Sequence, residues 1–268
     1  QGWVDYMRRR AGGDYLWTGD EHYGDWLAFS SDASDYPGAY TDKDLIATAY
    51  FARSTDLLSR IARVLGKTRD AQMYEALFKK IRKAFDKAYV TREGYLMSNT
   101  QTAYCLAIRF HLLDDSLATM AAGHLAEQVT HFGHITTGFL GTPIICPVLS
   151  ETGNDSLAYM LLNRKQYPSW LYPVTRGATT IWERWDGIKP DSSFQTVGMN
   201  SFNHYAYGAI GRWLYATVAG IKIDETHPGF KRVILAPHPG GGLDSARATY
   251  LSPYGEILSE WQITGATM

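Results

Sequence analysis

Two stretches with a helical repeat, residues 42–65 and 68–89, follow one another with only Gly66 and Lys67 between them. Leu45, Ala49, Ala52, Leu57, Leu58, Ile61 and Leu65 fall on one stripe of the first. In the second, Tyr74, Leu77, Phe78, Ile81, Ala84 and Phe85 face one way and Lys79, Lys80, Arg82, Lys83 and Lys87 the other. Thr41 and Asp42 supply a start signal and Gly66 a stop, so the pair must fold back on itself as a helical hairpin. A turn at 91–94 leads to further helices expected near 100–111, 114–130, 143–152, 155–164 and 200–219. The opening GWVDYMRRR reads as the interior or last turns of another helix, with Trp3, Val4 and Met7 on one face. It has no N-cap residue before it, and the expectation is that residues precede Gln1 and that the terminus at 264–268 is likewise a cut.

The helices come in pairs, and long connections rich in Trp and Gly recur at alternate junctions. That is the pattern of an α/α toroid, whose long loops gather on one rim, where function usually sits. No fixed repeat period is present, which excludes a tetratricopeptide-like solenoid. From Phe230 the texture changes to alternating β-branched and polar residues around Gly and Pro, predicting about three strands of a short antiparallel β-sandwich segment. The expected division is an incomplete (α/α)6 barrel over 1–225 and a partial β-domain over 226–268.

With 268 residues, 45% of them hydrophobic, the chain can bury a large core. Its 26 basic residues balance 27 acidic ones, and Arg8-Arg9-Arg10 reads as a solvated helix end, so no nucleic-acid partner is expected. No run of 18 apolar residues predicts a membrane span, and no secretory leader is visible. Cys105 and Cys146 sit in apolar surroundings without ligand spacing and read as buried thiols, with a disulfide as the minority alternative; their reduced look favours the cytoplasm slightly. Asp14, Asp20, Glu21 and Asp25 are not spaced like a calcium loop, and no metal or cofactor is expected.

The stretch 167–205 carries the chemistry. Glu183 stands between Trp182 and Arg184, followed by Trp185, Asp186 and, further on, His204. A carboxylate among indoles suits sugar cleavage, because aromatic faces stack on the apolar faces of a pyranose while the acid handles a proton. The competing reading is a buried Glu183–Arg184 ion pair wedged between two core tryptophans.

The motifs GDEHYGDWLA, TDKDLIATAYFA, TQTAY, ITTGFLGTP, YPSWLYPV, GATTIWERWDG, MNSFNHYAYGAIGRWLY, PGF, APHPGGGL and SPYG resemble, in order, the C-terminal part of the bacterial α-L-rhamnosidases of glycoside hydrolase family 78. The resemblance covers nearly the whole chain. It implies an (α/α)6 barrel followed by a β-sandwich, and inverting hydrolysis of terminal α-L-rhamnose from glycosides and polysaccharides with no cofactor. It puts the general base on Glu183, a sugar-contacting histidine on His204 and a pocket tryptophan on Trp26, with Asp25, Trp182 and Trp185 as rim or supporting groups. The family's general acid lies in an upstream acidic stretch ending in a Trp-Thr-Gly-Asp motif. Leu16-Trp17-Thr18-Gly19-Asp20 echoes that motif without the preceding stretch, so the chain is expected to hold one half of a catalytic pair and to be inactive or nearly so alone. Apolar helix faces left uncovered would then drive self-association or docking of a companion N-terminal segment. The alternatives are an inactive rhamnose-binding or structural remnant, or another (α/α)6 glycosidase of glucoamylase-like type.

Overall fold

The structure, a computed structural model, describes residues 1–29 and 40–265. Residues 30–39 and the terminal residues 266–268 lie outside the described residues. The chain divides into two compact units, Gln1–Ile144 and Ile145–Met268.

In the first unit, α1 (Gly2–Ala11) buries Val4, Met7 and Ala11. Trp3, expected on that face, is exposed and instead stacks on Tyr6 at 5.5 Å and meets Trp17 edge-on. Helices α2 (Lys43–Val64) and α3 (Thr68–Tyr89) form the expected hairpin. Asp42 caps α2 by accepting the Leu45 N–H at 2.8 Å, and Gly66 closes it at φ 70°. The stripe of α2 is the part the sequence misplaces. Leu57, Ile61 and Leu65 are exposed, while Phe51, Thr55, Ser59 and Ala62 are buried. Small side chains let α2 approach α3 closely, and their hydroxyls bond to backbone, Thr55 to Phe51 O and Ser59 to Ala71 O, each at 2.8 Å. A pattern that counts Ser and Thr as outward residues therefore picks the wrong face of the second half. A second hairpin joins α4 (Gln101–Arg109), capped by Thr100, to α5 (Asp115–Phe132), capped by Asp114 and ended by Gly133 in the left-handed region.

The short helices α6 (Thr142–Glu151) and α7 (Asp155–Asn163) follow. In the second unit α8 (Leu171–Thr175) comes next, then a long irregular stretch. The helix expected at 200–219 begins only at Ala206. It runs as a 3-10 turn (Ala206–Ala209), one α-turn (α9, Ile210–Trp213) and a π-turn (Leu214–Val218). Residues 200–205 are held out of it because Ser201 Oγ bonds both the N–H and the carbonyl of Asn203, and the chain here pairs with residues 181–183. Trp213 anchors the segment, its indole donating to Ser150 Oγ at 2.9 Å.

Among the described residues four strands follow the helices, starting earlier than the change of texture at Phe230. β1 (Ile221–Ile223) pairs antiparallel with β2 (Val233–Leu235), Ile221 opposite Leu235. β3 (Ser245–Ser252) pairs with β4 (Gly255–Gln262), Ser245 opposite Gln262. Ser259 and Trp261 on β4 donate to the carbonyls of Ala219 and Val218, which tie this hairpin to the residues entering β1. The described residues are thus paired helices followed by two small antiparallel sheets. Among them no helix is long and apolar enough to cross a membrane, and both cysteines are buried free thiols.

Candidate functional site

Glu183 and His204 are brought onto one backbone frame in the second unit. Two irregular segments, 181–183 and 201–204, lie side by side, with Glu183 N–H donating to Ser201 O and His204 N–H to Ile181 O, both at 2.8 Å. The Ser201 N–H closes the frame on the side chain, donating to Glu183 Oε2 at 2.8 Å. Glu183 is half-buried, and among the described residues its Oε1 accepts no hydrogen bond. One oxygen is therefore fixed by a backbone dipole and the other is left to accept a proton or bind a solvent molecule. His204 Nδ1 accepts the Ala206 N–H at 3.2 Å, so the neutral ring carries its proton on Nε2.

The two flanking tryptophans are core groups. Trp182 is 5% exposed and meets Phe202 edge-on at 4.9 Å. Trp185 is 6% exposed, lies flat on Tyr207 at 3.7 Å and meets Trp170 edge-on at 5.5 Å. Their rings fix the backbone on either side of Glu183. Arg184 is engaged by Asp186, Nε to Oδ1 at 3.2 Å, and Gln195 donates to the other Asp186 oxygen at 2.5 Å. The Glu183–Arg184 pair of the competing reading is absent among the described residues: the arginine serves the neighbouring aspartate instead.

Asp25 and Trp26 belong to the first unit. Asp25 is buried, and each carboxylate oxygen accepts two hydrogen bonds: Oδ2 from Thr102 Oγ1 at 2.5 Å and Gly138 N–H at 2.7 Å, Oδ1 from Leu140 N–H at 2.7 Å and Gly141 N–H at 3.1 Å. Burial pushes its pKa above the ordinary carboxylate value, against the pull of those four donors. A carboxylate so saturated organises the 138–141 loop. Trp26 rides on that organisation. Its carbonyl accepts the Phe139 N–H at 2.9 Å, while its ring is 39% exposed beside Tyr23. Asp20, in the motif that echoes an acid loop, is bonded to the Arg10 guanidinium and to the Trp17 indole at 2.5 Å, contacts that hold its pKa below the usual carboxylate range.

Sequence reading missed Ser201, whose N–H orients Glu183, and Thr102 and Gly138, which hold Asp25. Ser201 lies inside the motif MNSFNHY, where Asn200, Ser201, Asn203 and His204 crowd four polar residues into five positions, a density of backbone-competing side chains that weighs against a helix.

Comparison with known proteins bears on the same residues. Residues 1–218 match the model of the bacterial alpha-L-rhamnosidase six-hairpin glycosidase domain, an α/α toroid, and residues 220–268 that of the bacterial alpha-L-rhamnosidase C-terminal domain. An alpha-L-rhamnosidase of Streptomyces avermitilis is 46% identical over 97% of this chain and 24% of its own length. One of Formosa agariphila is 43% identical over 92% of this chain and 26% of its own. The crystal structure of the Streptomyces avermitilis enzyme complexed with L-rhamnose superposes with a TM-score of 0.90 over 98% of this chain and 24% of that one. That of the Aspergillus terreus enzyme gives 0.90 at 35% identity, over 97% of this chain and 30% of that one. The chain thus spans about a quarter of the length of the curated relatives it matches.

Proposed function

The chain belongs to the bacterial α-L-rhamnosidase family, and from that premise we propose that it carries the water-activating half of an inverting rhamnosidase site centred on Glu183. The single observation that carries the reading is the asymmetric anchoring of this carboxylate: Oε2 is pinned by the Ser201 N–H and Oε1 accepts no protein hydrogen bond among the described residues. Such a group takes a proton from water as the water oxygen bonds to C1 of the sugar and the glycosidic C–O bond breaks. The departing oxygen takes its proton from a carboxylic acid on the opposite face, with the two carboxyls about 6.5–9.5 Å apart. His204, protonated on Nε2, donates to a rhamnose hydroxyl. In the first unit, taken by itself, the exposed ring of Trp26 offers a face of the kind that stacks on a sugar.

Asp20 is the wrong group for the acid, because a carboxylate held low by a guanidinium stays ionised when a proton must be given. The acid is therefore assigned outside these 268 residues, and the chain alone does not turn over glycosides with poor leaving groups. The exposed stripe of Leu57, Ile61, Val64 and Leu65 on α2 is the face a companion segment or second copy would cover.

Rhamnose binding tests the site directly. A ligand that binds only the folded state stabilises it by RT ln(1 + [L]/Kd), about 2.7 kcal/mol at a hundredfold excess over Kd. L-Rhamnose is expected to raise the melting temperature of the chain, and His204→Ala to remove most of that rise. No shift in the wild-type chain would contradict the reading.

A further inference from the structure

The frame that holds Glu183 is closed a second time, at Gly187. Between Asp186 and Asn200 the chain leaves the 181–183 segment and returns to the 201–204 segment. Both ends of that excursion meet on Gly187 O, which accepts the Gln195 N–H at 3.1 Å and the Asn200 side-chain amide at 3.0 Å. Asn200 stands immediately before Ser201, whose N–H fixes Glu183 Oε2 and whose carbonyl accepts the Glu183 N–H, each at 2.8 Å. Gly187 lies four residues after Glu183. The Asn200 side chain thus ties the segment that carries the carboxylate to the segment that orients it, one residue away from the orienting N–H.

The amide is fitted closely to this glycine. A carbonyl only accepts, so Nδ2 is the atom turned to Gly187 O. Oδ1 then lies over the buried glycine: a Cβ at 187 would stand 2.9 Å from it, 3.1 Å from the Trp182 ring and 3.2 Å from that of Phe202. Oδ1 is itself buried and accepts no hydrogen bond among the described residues. A side chain present only to fill space would not carry that cost, since an aliphatic group packs without it. Nor does Gly187 O depend on the amide, because the Gln195 N–H already bonds it. What the amide adds is a fixed place for the residue that follows it.

We propose that Asn200 is a positioning residue for Glu183: anchored on Gly187 O, it sets the place from which the Ser201 N–H holds Oε2, and with it the direction in which Oε1 meets the attacking water. Turnover is sensitive to such placement, because a displacement of about 1 Å can cost a factor of about 10². Sugar binding is served from another point of the frame, since His204 is tied through its own N–H to Ile181 O at 2.8 Å. The inference rests on the Glu183 reading and deepens it by naming a residue that acts on the base through Ser201.

Hydrolysis of α-L-rhamnosyl fluoride, whose leaving group needs no proton, tests this in the 268-residue chain with Asn200→Ala and Asn200→Asp. Alanine removes the whole amide, whereas aspartate keeps its shape and turns an acceptor, in place of the donor, toward Gly187 O. Each should lower kcat about tenfold to a hundredfold and leave KM within about a factor of three. The melting temperature of Asn200→Ala should stay within about 4 °C of wild type, because a hydrogen bond and an unpartnered acceptor are lost together. An unchanged kcat in both variants, while hydrolysis still requires Glu183, overturns the role of Asn200 alone. A KM that rises as far as kcat falls, or loss of folding in both variants, also overturns it, since the amide would then act through the fold at large. Wild-type hydrolysis that is absent, or that survives Glu183→Gln, overturns the Glu183 reading and this one with it.

Discussion

The family resemblance singles out Asp25 and Glu183, and their surroundings set the two carboxylates apart. Asp25 has both oxygens committed twice, to Thr102 on α4 and to the 138–141 loop, whereas Glu183 keeps an uncommitted oxygen. Sequence supplied the residue type and its aromatic neighbours but not this difference, which depends on where the N–H groups of residues 138–141 and 201 come to lie. The same limit explains Trp182 and Trp185, whose burial against Phe202 and Tyr207 no local pattern announces. Gly138 is the residue on which the Asp25 arrangement depends most. A Cβ there would stand 2.2 Å from Trp26 O and 2.5 Å from Asp25 O, backbone atoms that have no rotamer to yield with. Gly138→Ala should therefore destabilise the chain by at least about 2 kcal/mol in urea unfolding, and a loss below about 0.5 kcal/mol would show that the loop is not held as described.

At the scale of elements, α7 shows how spacing becomes structure. Asp155, Tyr159 and Asn163 recur every four residues on one face and all bind the segment 238–241. Asp155 Oδ2 meets His238 Nδ1 at 2.9 Å, Tyr159 OH donates to His238 O at 2.5 Å, and Asn163 donates to Gly241 O at 2.8 Å. Gly240 and Gly241 lie so close to the Tyr159 ring that a Cβ on either would approach it to 2.6 or 2.5 Å. Burial pushes the Tyr159 phenol up to about 12. The folded state thus holds this proton more tightly than the unfolded chain, whose tyrosines titrate near 10. The contribution of Tyr159 is complete below pH of about 10 and is lost as pH rises through about 12. Tyr159→Phe should cost about 1 kcal/mol at pH 7 and show a smaller loss between pH 9 and pH 11.5 than the wild-type chain. Equal alkaline losses in both proteins would contradict this assignment. The helices α2 to α7 were readable to within about two residues, and the starts of α2, α4 and α5 are set by local caps, Asp42, Thr100 and Asp114 each bonding an N–H three residues on. The stretch 200–219 was not, since Ser201 and Asn203 take up backbone partners that a helix needs. β1 has only three residues, too few for an alternation to register.

For the molecule as a whole, the order of the motifs carried more than any of them singly, and the family models confirm it over residues 1–218 and 220–268. Helical periodicity gave paired helices, but the number of hairpins in a closed toroid is a property of the relatives, of which this chain spans about a quarter. The central claim is that Glu183 activates water without an acid from these residues. It is tested most directly with α-L-rhamnosyl fluoride, whose fluoride leaves without being protonated, so the base alone suffices. Proton NMR of the reaction with the 268-residue chain and its Glu183→Gln variant would follow both rate and anomer. The account predicts β-L-rhamnose as the first product and a rate lower by about 10² to 10⁴ in the variant. Hydrolysis that survives Glu183→Gln, or that releases the α anomer first, would contradict it.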